Sequence, residues 1–242
     1  MNRYYFNSNW RITGVVASAT GDVNGDRIPD SVYVTGYRES EGSIIQNMVL
    51  GIRDGATGVS VSIPLKENMG YDPMLFLGDF TGDGINDIFI TIPTGGSGGT
   101  TNTYIYSFVN IEPRLLFDSD AFNQAYQYEV TYKDDYKVEV VSKRNNARYL
   151  IDLSLRDPEY LNGIYNANGI LKAPISGWVD PISGIYPVDF GFDGVYYLLA
   201  YQQIVGSYHA DTVGTMQNRL KWNGYMFVLD YQDLAIYGTD NS

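Results

Sequence analysis

Apolar residues along this chain recur mainly at every second position, in short runs bounded by Gly, Asp, Asn and Pro. Val59, Val61, Ile63 and Leu65 mark one such run. Residues 126–132 and 136–141 alternate as cleanly and flank Asp134-Asp135, which reads as a hairpin. Period two is the signature of a half-buried strand, because successive side chains leave a strand on opposite faces. On this reading strands cover residues 3–19, 31–37, 43–52 and 59–65, then 74–77, 88–92, 104–109 and 114–117. A third set covers 126–132, 136–141 and 148–153, and a fourth 186–188, 195–204, 216–222 and 226–229. Asn223-Gly224 between the last two runs is a strong short-range hairpin signal. Residues 155–185 interrupt the pattern with Pro158, Gly163, Gly169, Pro174, Gly177, Pro181 and Gly184. They read as a long irregular insertion on one face, with a helical turn near residues 158–161. The tail Leu234-Ala235-Ile236-Tyr237 is expected to close against the N-terminal segment, which would protect sheet edges.

One polar pattern punctuates these strands twice. Residues 22–30 read Asp-Val-Asn-Gly-Asp-Arg-Ile-Pro-Asp, and residues 79–87 read Asp-Phe-Thr-Gly-Asp-Gly-Ile-Asn-Asp. Each places oxygen side chains at positions 1, 3, 5 and 9, Gly at 4 and Ile at 7. Alternate oxygens on a tight loop can face one hard cation, and the position-7 carbonyl can add to them. Calcium suits such a loop, since it takes six to eight oxygens in flexible geometry. An EF-hand does not fit. That loop needs Gly at position 6 and Glu at position 12 between helices, whereas position 12 here is Tyr33 or Ile90 and position 6 is Arg27 or Gly84.

The stretches Gly21-Asp22-Val23-Asn24-Gly25-Asp26-Arg27-Ile28-Pro29-Asp30 and Gly78-Asp79-Phe80-Thr81-Gly82-Asp83-Gly84-Ile85-Asn86-Asp87 resemble the FG-GAP/VCBS repeat family. That family includes the blades of integrin-type β-propellers. The chain also has the look of the VCBS-repeat-containing proteins of spore-forming Gram-positive bacteria. In the family the loop joins the first two strands of a blade and holds Ca²⁺. The resemblance implies two calcium sites. One would use Asp22, Asn24, Asp26 and Asp30 with the carbonyl of Ile28. The other would use Asp79, Thr81, Asp83 and Asp87 with the carbonyl of Ile85.

Asp79 follows Asp22 by 57 positions, and a decayed copy begins at Asp189, 110 positions later. A period near 55 divides the chain into units of about 1–66, 67–120, 121–185 and 186–242. The expected fold is therefore all-β, a single domain in a β-propeller-like ring of about four blades carrying the long insertion. The decayed copy has Gly191 at position 3 and Tyr197 at position 9. It keeps two of four side-chain ligands, so no calcium is expected there, and Asp189 and Asp193 read as turn residues.

Composition narrows the chemistry. The 242 residues include 22 Tyr, 10 Phe and 26 Gly, which favours an aromatic, short-stranded β protein. The net charge of −12 argues against nucleic acid as partner, since a phosphate backbone needs a basic surface. Six of the acidic groups lie in the two loops. The absence of cysteine excludes disulfides and zinc–thiolate sites. No apolar run approaches the ~18 residues of a membrane-spanning helix, and the N-terminus carries no signal-peptide pattern.

Other constellations give less. Gly95-Gly96-Ser97-Gly98-Gly99 matches Gly-x-Ser-x-Gly. A nucleophile elbow needs a strand-to-helix turn and a histidine partner, whereas Ser97 lies between two expected strands, so the stretch reads as a flexible loop. His209 is the single histidine and is expected to be a satisfied side chain, with Asp211 in reach. Trp10, Trp178 and Trp222 offer a possible sugar platform, but aromatics in β proteins mostly fill cores and cross-strand pairs. The leading expectation is a calcium-binding, non-enzymatic binding or scaffold module of a bacterial cell surface, spore surface or secreted protein, with a protein or glycan partner. A polysaccharide-acting hydrolase with acidic residues on a central face is the second reading, and a structural subunit of a surface or spore assembly the third.

Overall fold

The computed structural model describes residues 12–238 and divides the chain into two compact units. The first comprises residues up to Gly95 together with Asn102–Leu116. The second comprises Gly96–Thr101 and the residues from Phe117 onward.

The first unit holds two four-stranded sheets, each in chain order. One consists of β1 (Ile12–Gly21), β2 (Asp30–Arg38), β3 (Gln46–Arg53) and β4 (Ser60–Pro64). The other consists of β5 (Met74–Gly78), β6 (Asp87–Pro93), β7 (Thr101–Ser107) and β8 (Arg114–Asp118), whose end crosses into the second unit. Each acidic loop joins the first two strands of its sheet. The loop mouths are equivalent, with Gly21 paired to Asp30 and Gly78 to Asp87. Val32, Val34, Leu50 and Ile52 from one sheet pack with Ile88, Ile90 and Ile92 from the other. β2 alternates as its sequence implies, but β6 is buried along nearly its whole length. Its second face is covered in part by Phe80, which stacks on Phe89 with ring centroids 6.1 Å apart.

The second unit opens with α1 (Ser119–Ala125), capped by Asp118, whose side chain accepts the Asp120 N–H at 2.8 Å. Local capping of this kind is encoded in Asp-Ser-Asp, and this helix was not among the expected elements. Next come β9 (Tyr128–Lys133), β10 (Lys137–Ser142), β11 (Ala147–Asp152) and α2 (Pro158–Ile164). The turn between β9 and β10 has three residues, since Lys133 pairs with Lys137, and it puts Asp135 and Tyr136 at positive φ. The chain continues through β12 (Ser176–Val188), β13 (Tyr197–Val205), β14 (Thr212–Trp222) and β15 (Phe227–Ala235). These seven strands form one sheet in the order β11-β10-β9-β12-β13-β14-β15. The sheet curls until its edges nearly meet. Tyr149 on β11 donates its hydroxyl to Gln232 on β15 at 3.1 Å, and Asn145 donates to the same side-chain oxygen at 2.9 Å.

The protein is thus all-β with two short helices, but the third and fourth expected units do not form separate sheets. β12 is the reason. Ser176 and Gly177 pair with β9, and from Trp178 onward the strand pairs with β13, so it fuses both halves. The stretch expected as an irregular insertion therefore ends in a central strand. Its breakers are absorbed by register shifts between Val179 and Ile182 and between Ile182 and Gly184, where Pro181 owes no ladder bond. Gly177 is there for closeness, since a Cβ would lie 2.2 Å from the Val205 carbonyl oxygen. The helical turn near residue 158 is present as α2, with Asp157 accepting from Glu159 N–H at 2.7 Å. Leu234 and Ala235 end β15 against β14, while the N-terminal segment expected to receive the tail, with Trp10, lies outside the described residues.

Candidate metal centre

Both acidic loops fold by the same local rule: a carboxylate accepts main-chain N–H groups a few residues ahead, in the manner of an Asx turn. In the first loop Asp22 accepts from Gly25 at 2.7 Å and from Arg27 at 2.8 Å. Asn24 accepts from Asp26 at 2.9 Å, and Asp26 from Ile28 at 2.7 Å. In the second, Asp79 accepts from Gly82 at 2.6 Å and Gly84 at 2.8 Å, and Asp83 from Ile85 at 2.9 Å. Positions 4 and 6 take positive φ in both loops, at Gly25, Arg27, Gly82 and Gly84. The position-2 side chains Val23 and Phe80 are fully buried, and their N–H groups donate to Asp30 and Asp87, each at 3.0 Å.

The two loops are neighbours, which the sequence did not announce. Asn86 of the second loop donates to the Asp22 carbonyl at 3.0 Å, and a Cβ on Gly25 would lie 2.7 Å from Ile85 Cδ1. Replacing Gly25 by Ala is therefore expected to cost about 1–2 kcal/mol for the left-handed backbone alone. That corresponds to a melting temperature lowered by about 2–8 °C in a thermal scan.

The loops differ in what surrounds them. The first is clamped by the β3–β4 turn. Asp54 accepts from Asn24 Nδ2 at 3.3 Å, from Ala56 N–H at 3.0 Å and from the Thr57 hydroxyl. The Thr57 hydroxyl and the Ala56 N–H hold the Asp54 carboxyl below its ordinary pKa. Asp30 accepts from Gly55 N–H at 2.9 Å. Asp54 was not among the expected site residues. The second loop has two unsettled groups. The Thr81 hydroxyl is buried without a hydrogen-bond partner. Asp87, 2% exposed, is pushed up to about 7, first by burial and then by the nearby charges of Asp83 and Asp79.

Among the described residues, no three Asp, Glu or His side chains gather into a group able to hold a metal ion. The expected ligands Asp22, Asn24, Asp26 and Asp30, and Asp79, Thr81, Asp83 and Asp87, share their loops without forming a ready-made shell. The N–H groups of Ile28 and Ile85 are the atoms the loops engage. The decayed copy is a useful control. Between β12 and β13, Asp189 accepts from Gly194 N–H at 3.0 Å and Asp193 from Val195 N–H at 3.1 Å, so the turn persists with two of the ligand positions lost. Turn geometry alone is thus no sign of a metal. The orphaned Thr81 hydroxyl and the unsettled Asp87 fit a cation in the second loop. The first loop, whose Asn24 and Asp30 are already engaged, fits one less well.

Elsewhere, His209 does not pair with Asp211. Its Nδ1 lies 3.8 Å from Asp180 Oδ2 instead, while Asp211 Oδ2 accepts from Tyr132 and Tyr160 at 3.0 and 2.9 Å and from Ser207 N–H at 2.9 Å.

The chain matches the YybI C-terminal domain family over residues 126–235, a span that coincides with the seven-stranded sheet. It is 46% identical over 239 residues to the uncharacterised protein YybI of Bacillus subtilis (strain 168), covering 99% of this chain and 91% of that protein. No solved structure matches the chain.

Proposed function

The chain belongs to the YybI family, and we propose that it is a calcium-stabilised binding or scaffold module of a bacterial surface or secreted protein. On this reading the two four-stranded sheets are propeller-type calcium blades of the FG-GAP/VCBS kind. The seven-stranded unit carries the surface that meets a protein or glycan. The observation that supports it most is the second loop, where a buried Thr81 hydroxyl lacks a partner beside a carboxylate that burial keeps near neutrality. A divalent cation there would accept the Thr81 oxygen, let Asp87 ionise and offset the repulsion among Asp79, Asp83 and Asp87. Asp79, Thr81, Asp83 and Asp87, with the Ile85 carbonyl, would hold it. In the first loop Asp22, Asn24, Asp26, Asp30 and the Ile28 carbonyl would do the same after local rearrangement. Bound calcium would supply rigidity rather than chemistry. Extracellular calcium modules bind with Kd on the order of 10⁻⁴–10⁻³ M, a range that suits a surface setting.

Thermal unfolding with calcium and with chelator tests the reading. Calcium at about 100 times Kd adds roughly 2.7 kcal/mol per site, or about 5–11 °C for a chain of this size. Asp83→Ala is expected to remove most of the shift and Asp26→Ala less of it. Identical melting curves with calcium, magnesium and chelator would reduce both loops to acidic turns.

A further inference from the structure

The seven-stranded sheet splits beside β12. Ser176 and Gly177 pair with β9, but from Trp178 onward β12 keeps its pairing with β13 alone. A wedge therefore opens between β12 and the start of β9. Helix α1 lies across it, with Asn123 Oδ1 accepting the Ile182 N–H at 3.1 Å. The wedge holds a cavity of about 160 Å³, whose lining includes Asn123, Tyr126, Tyr128, Trp178, Asp180 and Gln202. That is room for one six-membered ring, since a cavity of about 150 Å³ is enough to hold benzene.

Trp178, 39% exposed, stands at the mouth, and Gln202, 2% exposed, at the floor. The indole is held in place by its Nε1–H, which donates to Asp180 Oδ1 at 2.8 Å. Gln202 Oε1 accepts from the Tyr128 hydroxyl and from Asn218 Nδ2, each at 3.2 Å. One Nε2 hydrogen of Gln202 goes to the Asp180 carbonyl at 3.2 Å, and the second is unspent. Asn123 resembles it, because its oxygen is engaged while its amide NH₂ has no partner among the described residues. Two amide donors are thus left over in the lining, and a half-buried donor is best satisfied by a ligand oxygen.

Charge narrows the ligand. No Lys, Arg or His lines the cavity, so an anion finds no counter-charge there. A cation finds little more. Asp180 Oδ2 is buried against Gly98 and His209, neither of which lines the cavity. The Tyr126 ring already carries the Arg144 guanidinium, 4.8 Å from its centroid. Burial pushes the Tyr128 phenol above its ordinary pKa, which keeps it neutral. The remaining chemistry is an indole face, two amide donors and one carboxylate edge. It suits a neutral ring that is apolar on its C–H face and carries hydroxyls around its edge.

We propose that this cavity binds a single neutral sugar ring, with its C–H face on Trp178 and its hydroxyls on Gln202 Nε2, Asn123 Nδ2 and Asp180 Oδ1. Because the space admits one ring, the sugar is a chain end or a side branch of a glycan. Trp222 is not part of the site, since its ring packs edge to face on Phe227 with centroids 5.5 Å apart. The inference rests on the glycan form of the proposed module and names its site, but it does not depend on calcium in the first unit.

The test titrates the ¹⁵N-labelled full chain with glucose, galactose, mannose and N-acetylglucosamine, with glycerol as the control polyol. Calcium-dependent melting is measured on the same sample. At least one sugar is expected to shift the Trp178 indole N–H together with the Asn123 and Gln202 side-chain amides. The shift should saturate with a millimolar Kd, the scale that a ligand of about a dozen heavy atoms reaches. The Trp222 indole should stay in place. Trp178→Phe should weaken binding about tenfold, the scale of a lost aromatic contact, and the wild-type titration stands by itself if this variant melts early. The proposal is overturned if the Trp178 indole is unmoved by all four sugars at about 100 mM, well above such a Kd. An equal shift with glycerol, or sugar-induced shifts centred outside the lining, would overturn it too. With the calcium shift in melting intact, those results strike this site and leave the calcium module. A saturable Trp178 shift with calcium-silent melting strikes the metal loops and keeps the sugar site.

Discussion

Asp211→Ala is expected to lower the stability of the seven-stranded unit by about 3–5 kcal/mol, on the scale of two lost hydrogen bonds to a carboxylate at roughly 1.5–3 kcal/mol each. Asp211 is 4% exposed, and its Oδ2 collects the hydroxyls of Tyr132 and Tyr160 and both donors of Ser207. Truncation leaves Tyr132, 2% exposed, with only the Tyr160 hydroxyl, 2.9 Å away. Burial, before any other cause, pushes both phenols above their ordinary pKa, so neither can settle the vacancy by ionising. The expected fall in melting temperature is about 6–20 °C, at roughly 2–4 °C per kcal/mol. Asp211→Asn keeps an oxygen acceptor and should lose less. Because Asp211 also ties down residues 206–211, the alanine variant should show faster amide exchange there than elsewhere in the unit. A melting temperature within 2 °C or so of wild type would mean that the tyrosines find other partners and the network is not structural.

In calcium-free buffer the first unit should become more stable, not less, as pH falls from 8 to 5. The group responsible is Asp87, whose folded pKa of about 7 stands above its ordinary value of 3.8. The folded state therefore binds a proton that the unfolded state releases between those values. Stability rises as pH falls through 7 and levels off near 4. The full difference is about 4 kcal/mol, and about 3 kcal/mol of it falls between pH 8 and 5, at 1.36 kcal/mol per unit. Asp54, Asp152, Asp189 and Asp230 are held below their ordinary values by hydrogen bonds or cationic neighbours. Their contributions are lost only at more acid pH, so the window from 8 to 5 isolates Asp87. Asp87→Asn should flatten the profile, and saturating calcium should do so as well, since a cation replaces the proton. A profile in chelator that is flat, or that falls toward pH 5, would refute the assignment.

The two acidic turns were legible because their chemistry is local. Asp22, Asp26, Asp79 and Asp83 reach N–H groups within five residues, so type and spacing suffice to place them. Position 9 was legible for a different reason, as the point where the chain re-enters the sheet opposite Gly21 or Gly78. What surrounds the loops was not legible. Asp54 reaches Asn24 across 30 positions and Asn86 reaches Asp22 across 64, and no period in the sequence announces either contact.

The same division runs through the whole chain. Alternation and turn chemistry by themselves determined an all-β protein, the two acidic loops at the heads of two four-stranded sheets, the turn at Asp134-Asp135 and the hairpin at Asn223-Gly224, because each is settled within a few residues. Only the tertiary structure decided that β12 would run through Pro181 and Gly184 as a central strand. Whether a breaker ends a strand depends on the register of the neighbours that flank it, and here two shifts absorb both residues. It also decided that β11 and β15 would meet through Tyr149 and Gln232, and that His209 would face Asp180 rather than Asp211. Those pairings join residues far apart in the chain, and they form only once the sheet has curled to bring them together.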